Sequence, residues 1–174
     1  SLLKINDLRY GENPHQKAAF YLKKGESQYW EKLHGKKLSY NNYFDIETSI
    51  SIVNEFNDLS CVIIKHANPC GFAIGNNPRE AYLSSASCDP ISYFGGIVAF
   101  NAEVDFDTAV ELNKSFLECI VGPSFSMRAL NELKKKKNLR LIRLNNKLRL
   151  DNKSREKIIK SVFNGFLIQD KDNK

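Results

Sequence analysis

The chain has 174 residues, 42% of them hydrophobic and 26% charged, with nine glycines and five prolines. That length suits a single domain with a core of useful size, and the composition argues against disorder, collagen and low-complexity filaments. The formal charge of +6 is local: residues 134–160 carry twelve Lys and Arg against two acidic residues, a balance of +10 that leaves −4 on the rest.

Residues 1–16 are polar and turn-rich, and Gly11-Glu12-Asn13-Pro14 reads as a turn before a short strand at 17–22. Tyr29, Trp30 and Leu33 suggest a short helix capped by Gly35, followed by a loop over 34–42. Phe44, Ile46, Ile50, Val53 and Phe56 recur at helical spacing over 43–57. Cys61 to Ile64 is a continuous apolar run rich in β-branched residues, as expected of a strand covered on both faces. It leads into a loop, Lys65 to Gly71, and then a helix over 78–88. Strands at 96–100, 116–121 and 139–144 alternate with helices at 105–114 and 126–137, and an apolar run from Phe163 to Ile168 reads as a last strand. The alternation predicts a layered α/β fold.

No run approaches the roughly 18 to 20 apolar residues of a membrane span, and the start of the chain lacks the apolar segment of a secretory signal. A cytoplasmic protein that engages no membrane is the expectation. The cysteines, at 61, 70, 88 and 119, have no CxxC spacing, which points to reduced thiols rather than a zinc ribbon. The basic segment 134–160 lacks interleaved aromatics for base stacking, so a solvated surface is favoured there over a nucleic-acid site. It is also suited to attracting an acidic group such as a polyglutamate tail or a neighbouring acidic domain.

Three segments bear chemistry. Lys65-His66 leaves a strand where ligands of open α/β sheets collect, the crevice at the carboxyl ends of strands, and an imidazole suits proton transfer near neutral pH. The plainer reading gives His66 a backbone hydrogen bond and Lys65 to solvent. Cys70 suits a core or loop-lining role, and the Pro69-Cys70 pair lacks the second cysteine of a zinc deaminase, position 73 being Ala73. Asp89-Pro90 through Ser92-Tyr93-Phe94-Gly95-Gly96 offers backbone approach to a small ligand and a ring to stack on a heterocycle, or simply a turn. Arg9-Tyr10-Gly11 can hold a phosphate or sugar edge, or sit at the surface, and Ser39-Tyr40-Asn41-Asn42 can cap the following helix.

Taken together these segments resemble the transformylase part of the AICAR transformylase/IMP cyclohydrolase family of purine biosynthesis. Leu8 to Gln16 is similar to that family's opening motif and Leu38 to Asn42 to its next block; Val62 to Gly71 resembles the catalytic-loop signature. Asp89 to Asn101, Lys134 to Leu141 and Gly165 to Asp172 match later blocks in the same order. Two local departures stand out: Gly122 where the family usually has alanine, and Tyr93 in place of a small residue before Phe94.

The resemblance implies formyl transfer from 10-formyltetrahydrofolate, a cosubstrate, to the 5-amino group of 5-aminoimidazole-4-carboxamide ribonucleotide. It implies His66 as general base and Lys65 as electrostatic stabiliser or proton donor to the departing folate nitrogen, with Arg9, Tyr10, Gly11, Asn42, Phe94, Gly95 and Glu118 contacting the nucleotide and no metal. The implied fold is a layered α/β/α sheet of cytidine-deaminase-like type, without zinc. The implied organisation is the N-terminal half of a transformylase domain: a nucleotide-contacting segment at 1–42, an α/β core at 43–144, and a basic stretch with the final strand at 145–174. Activity would then need a second subdomain or a homodimer partner, and a non-catalytic ribotide-binding or assembly module is the alternative.

Overall fold

The computed structural model describes residues 1–145 and 157–170. A six-stranded sheet carries the core, in the order β3-β8-β7-β6-β4-β5: β3 Trp30–His34, β4 Ser60–Lys65, β5 Asn68–Ile74, β6 Ile97–Phe100, β7 Cys119–Gly122 and β8 Arg140–Leu144. β6, β7 and β8 run parallel, joined by the crossover helices α3 Phe106–Asn113 and α4 Met127–Leu133, whereas β3, β4 and β5 pair antiparallel. The helix α1 Tyr40–Asn54 precedes β4, and α2 Pro78–Cys88 follows β5.

Strand residues alternate between the sheet's two faces, and each face has its own helices. Cys61, Ile63, Val98, Phe100, Ile120 and Leu141 join Ala81 and Tyr82 of α2, Leu112 of α3 and Leu133 of α4 in one core. Val62, Ile64, Ile97, Val121 and Ile142 join Ile46, Ile50 and Val53 of α1 in the other. A strand buried on both faces has few polar positions to spare, which is why Cys61 to Ile64 of β4 and the whole of β6 read as unbroken apolar runs. The fold is thus mixed α/β, with helices on both faces of the sheet. None of its helices, among the described residues, is long and apolar enough to cross a membrane.

Each helix starts where its sequence offers a side-chain acceptor for an unpaired N–H. Ser39 and Asn42 form a capping box on α1; Asn77, Asp105 and Ser126 cap α2, α3 and α4. Pro78 fills the first turn of α2, where its missing N–H costs nothing.

Several expectations are corrected. Tyr29 to Leu33 form no helix: Trp30–His34 is an edge strand antiparallel to β8, with Arg143 bonded to Glu31 across the pair at 2.9 Å. Three apolar residues within five positions cannot separate a period of 3.6 from a period of 2. Gly35 is accordingly no helix cap but turns the chain after β3 at φ 91°. Residues 1–16 are not wholly irregular, since β1 Leu2–Asp7 pairs with β2 Ala19–Lys23. The segment from Lys65 to Gly71 is not a loop but the end of β4, a two-residue turn and the first half of β5, which pair as a hairpin. The apolar run at 163–168 belongs to a second hairpin, β9 Lys157–Val162 with β10 Gly165–Asp170. Most of the stretch that joins β8 to this hairpin, residues 146–156, lies outside the described residues.

Candidate active site

The hairpin register places the singled-out side chains. Lys65 pairs with Asn68, so His66 and Ala67 are the two central residues of the turn, at φ 54° and 58°. Two-residue hairpin turns of this kind demand positive φ at both centres, a conformation that Gly and Asn adopt readily and that costs other residues about 1–2 kcal/mol each. Neighbouring groups hold it: the Ala67 N–H donates to Asp45 Oδ1 at 2.7 Å, and Asn68 Nδ2 donates to the His66 carbonyl at 2.9 Å. Burial raises the Asp45 carboxyl above its ordinary range, opposed by that Ala67 bond and by nearby His66. His66 itself is exposed and lines a cleft of about 430 Å³ with Glu12, Tyr40, Asn41, Phe44, Asp45 and Ala67.

Lys65, the last residue of β4, does not simply point to solvent. Its Nζ donates to the Phe94 carbonyl at 2.8 Å, tying the hairpin to the Phe94-Gly95-Gly96 turn. Gly95, at φ 73°, donates to the Phe116 carbonyl at 2.8 Å, and the Phe94 ring packs on Phe116 with centroids 5.2 Å apart. Phe94 still shows 57% of its surface. Cys70 is half-buried against the core, as a lining residue would be, with its Sγ 3.5 Å from the Ile63 carbonyl.

Glu118 immediately precedes β7, and its Oε2 accepts from Asn42 Nδ2 at 3.1 Å. The same oxygen lies 3.5 Å from Nη1 of Arg140. Arg9 and Glu118 line a cleft of about 350 Å³ in which Lys36, Lys136, Lys137 and Arg140 supply further positive charge. The Arg9 guanidinium lies 5.3 Å from the centre of the Tyr10 ring. The backbone fixes this leading segment to the start of α1: Arg9 N–H donates to Leu38 O and Tyr40 N–H to Tyr10 O, both at 3.1 Å. Gly11 is buried in its own turn, its N–H bonded to the Gln16 carbonyl at 2.8 Å.

The singled-out residues thus lie toward one end of the sheet, but of the implied catalytic and nucleotide-contacting residues only Arg9, Glu118 and His66 line these two clefts, and not the same one. Arg9 and Glu118 share the basic cleft, while His66 lines the other cleft, with Asp45 feeling the charge of both Glu118 and His66. The end itself differs from expectation. It is the carboxyl end of β4, but Ile97 of β6, Cys119 of β7 and Arg140 of β8 lie in register there, so it is the amino end of the parallel strands. The antiparallel direction of β4 brings its exit to that side. Two side chains escaped the sequence reading. Asp45 sits at a helix position that periodicity alone treats as surface, and Arg140 is hidden within a run of basic residues.

Comparison with known proteins identifies the family. The family described as the AICARFT/IMPCHase bienzyme matches residues 1–174. The bifunctional purine biosynthesis protein PurH of Persephonella marina is 48% identical over 97% of this chain and 33% of its own length. PurH of Petrotoga mobilis is 50% identical over 83% of this chain and 29% of its own. The chain thus spans about a third of the length of the curated relatives it matches. Among solved structures, a formate dehydrogenase accessory protein from Desulfotalea psychrophila overlaps 61% of the chain at 12% identity and a TM-score of 0.46. The chain belongs to the AICARFT/IMPCHase bienzyme family of purine biosynthesis.

Proposed function

We propose that this chain forms the ribotide-binding and proton-transfer part of an AICAR transformylase, moving a formyl group from 10-formyltetrahydrofolate to the 5-amino group of 5-aminoimidazole-4-carboxamide ribonucleotide. The observation that carries the reading is the convergence of five separated segments at one end of the sheet: Arg9-Tyr10, Asn42, Lys65-His66, Phe94-Gly95 and Glu118. We further take the sheet, with helices on both faces, to be of cytidine-deaminase-like type.

The acceptor amine is a poor nucleophile because its lone pair is delocalised into the imidazole and carboxamide. As nitrogen attacks the formyl carbon, His66 accepts the amine proton. Negative charge develops on the formyl oxygen, and Lys65 stabilises it. The bond from formyl carbon to the folate nitrogen then breaks, and that nitrogen takes up a proton, from His66 or by way of Lys65. The strained turn has a purpose in this reading: it presents the imidazole at the tip of a hairpin braced by Asp45, so that little reorganisation is needed at the moment of transfer. Arg9 meets the 5′-phosphate, and Asn42, Phe94, Gly95 and Glu118 surround the ribose and ring.

Because the chain spans a third of its relatives, we propose that the folate contacts come from a second subdomain and that the complete site forms in a homodimer. A formyl-transfer assay, run on this chain with and without the remaining part of a PurH relative, tests this. Turnover only on complementation is expected. Ribotide binding with no turnover under either condition would replace the enzyme reading with a non-catalytic binding module.

A further inference from the structure

Arg140 is the first residue of β8 and only 5% exposed, an unusual place for a guanidinium. Its nitrogens are directed at three acceptors. Nε and Nη2 each donate to the Lys37 carbonyl at 3.3 Å, and Nη1 to the Glu118 carbonyl at 3.4 Å. Nη1 also lies 3.5 Å from Glu118 Oε2, the oxygen that accepts from Asn42 Nδ2 at 3.1 Å. Asn42 in turn closes the capping box, its Oδ1 accepting from the Ser39 N–H at 3.0 Å.

We infer that Arg140 is the positioning residue of the nucleotide site, holding the Glu118 carboxylate and, through it, Asn42 in the orientation that meets the ribotide; this rests on the function proposed above. Three features support it. A buried cation needs an anionic or strongly accepting partner, and Glu118 is the carboxylate in contact with it. The Glu118 side chain is 42% exposed to the cleft, so the guanidinium fixes one oxygen while leaving the carboxylate open to a ligand. The clamp on the Lys37 carbonyl sits just before Leu38, whose own carbonyl accepts from Arg9, so one side chain sets the spacing between the Arg9 segment and Glu118. A lysine offers neither the fork nor the reach to serve both.

The test is calorimetric titration of the chain with 5-aminoimidazole-4-carboxamide ribonucleotide, comparing the unmodified protein with Arg140→Met, Arg140→Lys, Glu118→Gln and the double variant Arg140→Met/Glu118→Gln. Folding of each is checked by circular dichroism at the titration temperature. Arg140→Met should weaken binding by about tenfold to a hundredfold, the range for losing one or two hydrogen bonds to a charged group. Arg140→Lys should recover part of the loss. Glu118→Gln should weaken binding alone but add less than about twofold on top of Arg140→Met, because residues acting through one contact are non-additive. A purely structural arginine would give multiplying losses. Multiplying losses, or a folded Arg140→Met that binds normally, overturn the inference. Should Arg140→Met fail to fold, Arg140→Lys decides: normal affinity in a folded Arg140→Lys overturns it, and a several-fold loss absent on the Glu118→Gln background upholds it. No binding by the unmodified chain would instead overturn the ribotide reading beneath it.

Discussion

Replacing His66 with alanine is expected to lower formyl transfer about 10²- to 10⁴-fold in an assembly that supplies the rest of the relatives' length, the usual contribution of a positioned general base. Ribotide affinity should change little, since the nucleotide contacts proposed for Arg9, Asn42 and Glu118 lie on other segments. The substitution is also structurally mild. His66 is exposed, and the hydrogen bonds that brace its turn run through backbone and through Asp45 and Asn68 rather than through the imidazole. Alanine does lose the modest tolerance that His has for positive φ, so a melting curve run beside the kinetics separates the two effects. A stable His66→Ala protein with unchanged turnover would rule out the general-base role. Asparagine at 66, which tolerates the turn better but cannot take up the proton, should be as slow as alanine.

Gly35→Ala is expected to cost a large part of the domain's stability. Gly35 sits at φ 91°, and a Cβ built on it would lie 2.2 Å from the Leu139 carbonyl oxygen. Backbone of the β8 lead-in, not a flexible side-chain tip, is what blocks it. The conformational penalty of about 1–2 kcal/mol and the overpacking penalty of about 1–3 kcal/mol act together, so a loss of about 2–5 kcal/mol is expected. In a domain whose total stability is about 5–15 kcal/mol, that shifts a urea midpoint by a large fraction. The damage should spread to function, because Leu139 precedes Arg140 and Gly35 precedes the Lys37 carbonyl that Arg140 clamps. A Gly35→Ala chain with an unaltered urea midpoint would show that β3 does not turn back against β8 in this way.

Much of the fold was legible because the central elements are buried on both faces. Cys61 to Ile64 and Ile97 to Phe100 have no polar residue to confuse the pattern, and α1 carries both its apolar stripe and its cap in sequence. Exposed or short elements carried less signal. β1 is exposed along its whole length, and its partner β2 is only partly covered, so neither shows the alternation of a half-buried strand. Trp30–His34 is an edge strand of five residues, whose position is dictated by pairing with β8 more than a hundred residues away.

Candidate residues could be singled out in the sequence, but their geometry could not. His66-Ala67 carries none of the Asn-Gly or Gly-rich signal that marks a tight hairpin, because the sequence places non-glycine residues where the turn demands positive φ. That mismatch between local preference and adopted structure is itself what draws attention to the turn. The direction of the neighbouring strands was not readable either: the antiparallel pairing of β4 with β6 emerges only from the sheet as a whole. Arg140 resembles its basic neighbours in sequence, and only the register of β7 against β8, with Cys119 opposite Arg140, buries it beside Glu118.

The most direct measurement is the binding of 5-aminoimidazole-4-carboxamide ribonucleotide to this chain by calorimetry, with Arg9→Ala alongside. Saturable binding of one ribotide per chain, weakened about tenfold or more when the Arg9 guanidinium is removed, is the expected result. A folded chain that gives no saturable heat, or one whose affinity is indifferent to Arg9, would contradict the placement of a purine-ribotide site at this end of the sheet.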